Sequence, residues 1–237
     1  MTALELLRRL DRSAMDILFP EELACLCCDQ PTFGPILCPD CLKQLEELRL
    51  EGPLCPDCGG ALEENGSCRR CQRYGPLYAR SVWRHSGAPM RLVHAVKDGA
   101  IAAAASPLAE GLADLAKTLP ALEHATVTWV TMPKKRQRQR GIDHGRLLAE
   151  KTAALLELPC RQLLARTAES PRHTQRGLSG EERRKNLEHA FCCPAPVSGT
   201  VILIDDVMTT GSTGAVCTAV LREAGAERVL LLTATRA

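Results

Sequence analysis

Aromatic side chains are scarce in this chain: two Trp, two Tyr and three Phe among 237 residues. That leaves little surface for a nucleobase to stack on, so any contact with single-stranded nucleic acid would be mainly electrostatic. A large charge of one sign is also missing. The formal net charge of +2 gives no general pull on a polyanion, and only local basic clusters can supply one. No apolar run approaches the roughly 18 residues that a membrane-spanning helix needs. The first 16 residues carry Glu5, Arg8, Arg9, Asp11 and Arg12, unlike the apolar stretch of a secretory signal, so a cytoplasmic location is expected. Leu4, Leu7 and Leu10 share one face of a short amphipathic helix expected there, ending before Pro20. Two motifs are absent: there is no G-x-x-x-x-G-K-[ST] phosphate loop and no visible helix-turn-helix.

Cysteine, by contrast, is abundant. Thirteen occur, nine of them between Cys25 and Cys71, and disulfides are not the expected use of so many thiols in a reducing compartment. Eight fall into four C-x-x-C pairs: Cys25/Cys28, Cys38/Cys41, Cys55/Cys58 and Cys68/Cys71. Nine residues separate the first pair from the second and the third from the fourth, and Pro-Asp recurs inside two pairs, which marks an internal repeat. Each turn aims two sulfurs at one centre. Two turns complete a tetrahedral four-cysteine cage, which suits Zn²⁺ and leaves no open position for a substrate water. Sequential pairing would hold one ion on Cys25, Cys28, Cys38 and Cys41 and a second on Cys55, Cys58, Cys68 and Cys71; interleaved pairing is the alternative. An iron–sulfur cluster or a redox dithiol competes, but a thioredoxin-type motif needs only one C-x-x-C beside a βαβ unit. The ions are expected to be structural, because this stretch has few core formers and metal must supply much of its folding energy. Cys27 is expected to be a spectator, and Cys160, Cys192, Cys193 and Cys217 to be ordinary thiols.

Beyond Tyr74-Gly75-Pro76 the pattern changes, which places a boundary between residues 1–74 and 75–237. Strands are expected over 78–86, 126–130, 162–165, 201–204 and 229–232, and helices over 90–97, 107–117, 143–158, 182–186 and 213–224. Residues 167–180 are polar and aperiodic, a candidate covering loop. The alternation implies an α/β fold with a largely parallel sheet flanked by helices.

Val201-Ile202-Leu203-Ile204 reads as a strand buried on both faces. Asp205 and Asp206 end it, and Thr209, Thr210, Gly211, Ser212 and Thr213 open a helix. A helix N-terminus seats a phosphate, glycine permits close approach, and hydroxyls donate hydrogen bonds. The carboxylates suit the hydroxyls of a ribose, with a cation such as Mg²⁺ offsetting charge. The segment is a candidate ribose 5-phosphate site; the plainer alternative is a strand whose acids only cap a helix. After the strand at Trp129 come Lys134, Lys135, Arg136, Arg138 and Arg140, five cations in seven residues before Gly141. A pyrophosphate, or any polyanion, would meet its counter-charge there.

These pieces together resemble the ComF family, bacterial phosphoribosyltransferase-like proteins with an N-terminal double zinc ribbon, some of which take part in natural transformation. The likeness covers nearly the whole chain. Residues 201–213 are similar throughout to the 5-phosphoribosyl-1-pyrophosphate (PRPP) motif of type I phosphoribosyltransferases. Arg140-Gly141 keeps part of the family's K-x3-R-G-F-N-Q segment, with Ile142, Asp143 and His144 replacing Phe, Asn and Gln. The T-x-x-Q-x-x-L-S and R-x-x-N-L segments correspond, slightly shifted, to residues 174–179 and 183–187. Lys97 stands at the family's lysine, followed by Asp98 in place of Phe. The resemblance implies a type I phosphoribosyltransferase-like fold and PRPP with Mg²⁺ as ligand. Its binding residues would be Asp205, Asp206, Thr209, Thr210, Gly211, Ser212, Thr213, Lys134, Lys135, Arg136 and Arg140, with Asp205 and Asp206 catalytic. Thr209 occupies a place where purine-salvage relatives often have Asp, and a threonine is no general base near neutral pH. Two activities fit. One is transfer of a phosphoribosyl group to a nitrogen acceptor. The other is a non-enzymatic accessory role in DNA uptake, in which the ribbons and Arg136, Arg172, Arg176 and Arg183 track single-stranded DNA.

Overall fold

The computed structural model describes residues 23–32, 36–75, 77–99, 101–120, 122–167 and 189–237. The expected N-terminal helix, most of the covering loop, the helix at 182–186 and the segments at 174–187 lie outside the described residues.

Strand β1 (Leu23–Ala24) pairs antiparallel with β2 (Pro31–Thr32), and helix α1 (Pro39–Glu47) follows. Pro39 opens that helix because its missing N–H would have had no intrahelical partner. Helix α2 (Arg69–Tyr74) closes the cysteine-rich stretch. Next come β3 (Ala79–Arg84), α3 (Gly87–Lys97), α4 (Ala105–Lys117), β4 (Thr126–Trp129), α5 (Lys134–Arg140) and α6 (His144–Leu156). After β5 (Ala165–Arg166) and its antiparallel partner β6 (Phe191–Cys192) come β7 (Thr200–Met208), α7 (Ser212–Glu223) and β8 (Arg228–Arg236). The main sheet runs β3-β8-β7-β4, and every pair in it is parallel. Alternate residues of β7 feed two cores, as a period of two demands. Ile202 and Ile204 pack with Leu92, Leu108 and Leu148 from α3, α4 and α6, whereas Val201 and Leu203 pack with Cys217 and Leu221 of α7. Helices therefore cover both faces of a parallel sheet.

Three features depart from expectation. Strands β7 and β8 continue past their apolar stretches, pairing Asp205 with Thr233, Val207 with Thr235 and Met208 with Arg236. The extension holds because its hydroxyls are satisfied: Thr233 Oγ1 lies 2.6 Å from Ser81 Oγ, and Thr235 Oγ1 donates to the Asp206 carbonyl at 3.3 Å. The basic stretch, which lies outside the expected helices, is helical and is ended by Gly141 in the left-handed region at φ 75°. The strand near residue 162 is reduced to the two residues of β5.

The cysteine-rich stretch packs directly on the sheet. Backbone bonds from Leu50 N to Val82 O (2.8 Å) and from Arg84 N to Leu48 O (2.9 Å) cover the edge of β3. The indole N–H of Trp83 donates to Leu45 O at 2.8 Å. Helix α4 reaches that indole because residue 111 is glycine: a Cβ there would lie 2.2 Å from the ring. Cys25, Cys41 and Leu45 share one continuous core with Trp83, Leu92 and Ile202.

Candidate metal centres and ligand cleft

The four C-x-x-C turns resolve into two cages with sequential pairing. The sulfurs of Cys25, Cys28, Cys38 and Cys41 lie within 4.8 Å of one another, as do those of Cys55, Cys58, Cys68 and Cys71. Four thiolates about 2.3 Å from a tetrahedral Zn²⁺ stand about 3.8 Å apart. The separations of 3.6 Å (Cys28–Cys38), 3.7 Å (Cys55–Cys71) and 3.5 Å (Cys58–Cys68) fit that edge. A zinc centre with four thiolate ligands carries a net charge of about −2, which donors nearby should offset. The body supplies them. Arg91 Nη2 lies 3.9 Å from Cys41 Sγ, and Arg236 Nη2 lies 3.7 Å from Cys58 Sγ. Backbone N–H groups of Cys27 and Cys38 also point at Cys25 Sγ. Cys27 stays outside the first cage, its thiol directed at Ala88 O at 3.5 Å, and burial pushes its pKa up to about 11.

The carboxyl ends of β4 and β7 open onto a cleft of about 470 Å³, walled by α3, α5 and α6. Asp206 is buried in its floor. Lys97 Nζ, from the last turn of α3, donates to Asp206 Oδ1 at 2.7 Å, and His144 Nε2, from the first turn of α6, lies 2.7 Å from Oδ2. Burial opposes ionisation of Asp206, but Lys97 and His144 outweigh it and hold the carboxyl well below the usual carboxylate range. Asp205 is the reverse case. Burial, reinforced by the charge on Asp206, pushes its carboxyl up to about 7. Its Oδ1 accepts the Asp206 backbone N–H at 2.9 Å, and among the described residues no cation lies within ion-pairing distance of it. Two acids that read alike in sequence thus differ in chemistry. Asp206 is a compensated anion, and Asp205 is held toward its neutral form.

Asp205 also joins Thr209, Thr210, Gly211, Ser212 and Thr213 around a smaller cavity of about 50 Å³. Gly211 precedes α7 in the left-handed region at φ 76°, and Thr210 Oγ1 accepts the Ser212 N–H at 3.3 Å. Arg136 and Arg140 line the larger cleft, where Arg140 Nη2 donates to Asp98 Oδ1 at 3.2 Å. Lys134 and Lys135 are exposed on α5 and do not line it.

Several cleft residues were not singled out from sequence as site residues. Arg166, on β5, donates its Nε–H to Thr131 O at 3.0 Å and lies 4.2 Å above the Phe191 ring. Burial lowers its pKa and nearby Arg136 adds to that, so this guanidinium is desolvated and lacks a carboxylate partner among the described residues. His85, at the end of β3, sits 2.8 Å from Thr235 Oγ1 and stacks on His94. Nothing in the local pattern around Arg166 distinguishes it from a solvated arginine. Lys97 and His144 had a signal, since both fall in segments with family counterparts.

Residues 14–72 match the double zinc ribbon domain family. The chain is 35% identical over 98 residues to Competence protein F of Haemophilus influenzae, a match covering 40% of this chain and 42% of that protein's length. It is 31% identical over 177 residues to the DNA utilization protein YhgH of Escherichia coli O6:H1, covering 68% of this chain and 74% of that protein. Among solved structures, the allosteric regulatory enzyme of purine biosynthesis is similar with a TM-score of 0.38 and 21% identity, over 55% of this chain and 26% of that one. Adenine phosphoribosyltransferase from Leishmania tarentolae gives a TM-score of 0.34 and 13% identity, over 56% of this chain and 70% of that one.

Proposed function

The chain belongs to the ComF family, and from that premise we propose that it binds PRPP with Mg²⁺ in the cleft at the end of β7, its two four-cysteine zinc sites being structural. The observation that carries this reading is the split between the two acids. A carboxylate left uncompensated beside a hydroxyl-rich helix mouth is costly unless a ligand completes it. Asp205 would meet Mg²⁺ or the ribose hydroxyls, since a hard cation takes carboxylate oxygens and, among the described residues, no cation pairs directly with this carboxyl. Thr209 to Thr213 would take the 5-phosphate at the start of α7. Arg136, Arg140 and Arg166 would face the pyrophosphate, where guanidinium forks are well matched. Mg²⁺ bound there would neutralise charge building on the leaving pyrophosphate.

From this arrangement the expected chemistry is transfer of the phosphoribosyl group to a nitrogen nucleophile: the bond from C1 to the pyrophosphate oxygen breaks, pyrophosphate leaves with the electron pair, and the acceptor nitrogen loses its proton to solvent. Calorimetry with PRPP and Mg²⁺ on zinc-loaded protein tests the binding, and pyrophosphate release across an acceptor panel tests the transfer. No heat from PRPP would overturn the reading, and heat without release would reduce it to binding.

A second reading, accessory binding of single-stranded DNA in uptake, draws on the likeness to a competence protein and a DNA utilization protein and on the exposed cations Lys134, Lys135 and Arg138 of α5. Steeply salt-dependent binding of an oligonucleotide supports it.

A further inference from the structure

The two zinc ribbons are not equivalent in what they touch. The first packs against the hydrophobic core through Trp83 and Ala88. The second reaches the hydroxyl-rich loop through two arginines. Arg70 immediately precedes Cys71, a ligand of the second cage, and its Nε donates to the Thr210 carbonyl at 3.2 Å. The same guanidinium donates from Nη1 to Gly75 O at 2.9 Å and approaches Cys71 Sγ at 3.9 Å. At the other end of the loop, Arg236 Nη1 donates to Cys58 O at 2.8 Å and to Met208 Sδ at 3.4 Å. Both ends of the segment 208–210 are thereby tied to the second cage.

Packing at Gly211 shows how close Arg70 lies to the loop. A Cβ there would stand 3.2 Å from Arg70 Nε and Nη2 and 2.9 Å from Met208 Cε. In a planar trans peptide the C=O and the following N–H point in opposite directions. Holding the Thr210 carbonyl toward the ribbon therefore turns the Gly211 N–H away from Arg70. Arg70 does not line the cavity that Thr209 to Thr213 surround, so it acts through the loop rather than on a ligand.

We propose that Arg70 is a positioning residue by which the second zinc ribbon sets the conformation of the 209–213 loop for a sugar phosphate. The inference rests on the reading of that loop as a phosphate site. It assigns the second ribbon a part in ligand affinity that the first does not share.

The test uses the full zinc-loaded chain with ribose 5-phosphate and inorganic pyrophosphate as separate calorimetric probes. Arg70→Met should bind ribose 5-phosphate about tenfold more weakly, the size of one lost charge-assisted hydrogen bond. Pyrophosphate affinity and a zinc content of two per chain should be unchanged. Amide exchange over residues 210–213 should accelerate. Arg70→Lys keeps the charge but not the fork, and it should behave like Arg70→Met. Equal ribose 5-phosphate affinity in wild type and Arg70→Met overturns the inference, as does full recovery by Arg70→Lys, which would leave charge alone. Loss of zinc or of pyrophosphate binding in Arg70→Met also overturns it, because the arginine would then serve the ribbon's folding. If the wild-type protein ignores ribose 5-phosphate, the phosphate-site reading itself fails first.

Discussion

Replacing Asp205 by Asn should stabilise the ligand-free protein near and above neutral pH while abolishing PRPP binding. Burial and the Asp206 charge raise the Asp205 carboxyl from 3.8 to about 7 in the folded chain. A folded-state pKa above the unfolded one means the folded state holds the proton more tightly, so stability falls as pH rises through that window. Asp206 has the opposite sign: its depressed pKa contributes stability that is present above the unfolded value and lost as pH falls. His85, with its pKa lowered by burial, likewise favours the folded state above its unfolded value. A single pH curve mixes these groups, but the difference between wild type and Asp205→Asn at each pH isolates the one carboxyl. Asn also keeps the shape, and its oxygen can still accept the Asp206 N–H. Over the roughly 1.5 pH units from 5.5 to 7, at 1.36 kcal/mol per unit, the advantage of Asn should grow by about 2 kcal/mol and then level off. Urea midpoints in Mg²⁺-free buffer read this directly, and zinc content must be checked at the acid end. A difference that is flat with pH, or an Asn variant less stable at pH 8, would refute the account of the acid pair. Stability gained where binding is lost is the signature of a group kept for a ligand.

Three further outcomes follow from the geometry. Gly111→Ala should destabilise: alanine gains about 1 kcal/mol of helix propensity, but its Cβ meets the buried Trp83 indole, and overpacking of that kind costs about 1–3 kcal/mol or more. A raised urea midpoint would contradict this. Metal analysis should find two zinc ions per chain, and a strong chelator should unfold the ribbon stretch; one ion, or iron, would refute the cages as drawn. Arg166→Met preserves an apolar body over Phe191 and should weaken pyrophosphate binding by about tenfold without loss of zinc; unchanged affinity would remove Arg166 from the site.

Legibility from sequence followed the range of each interaction. The apolar run at 201–204, the C-x-x-C repeat and the helices expected over 90–97, 107–117, 143–158 and 213–224 are local patterns, and the structure has them with small shifts at their ends. Sequential pairing of the turns was one of two options on paper, and the sulfur separations decide it. The ends of β7 and β8 were not visible, because what extends them is a set of hydroxyl contacts from Ser81, Thr233 and Thr235 on separate strands. The helical form of the basic stretch is hidden for a different reason: five cations and two glutamines leave no apolar face, although Pro133 and Gly141 mark its two ends. Least legible were pairings between residues more than a hundred apart, such as Lys97 with Asp206 and Arg70 with Thr210. No period or spacing within one segment carries that information.

Those distant pairings also separate the two ligand readings. Lys97 and Arg140 are already held by Asp206 and Asp98. A pyrophosphate entering the cleft draws Arg140 from its carboxylate and meets Arg166 already desolvated, so its binding is in part an exchange that releases fewer counterions than contact with open charge. On the outer side of α5 no such exchange is needed, since among the described residues no carboxylate pairs with Lys134, Lys135 or Arg138. A single strand lying there would neutralise open charge, and its log affinity would fall by roughly 0.7 per phosphate contact for each tenfold rise in salt. PRPP affinity, measured with Mg²⁺ fixed, should therefore decline more gently with salt than oligonucleotide affinity does. Equal slopes would mean that both anions meet the same open surface, and the acid pair would then have no part in holding either.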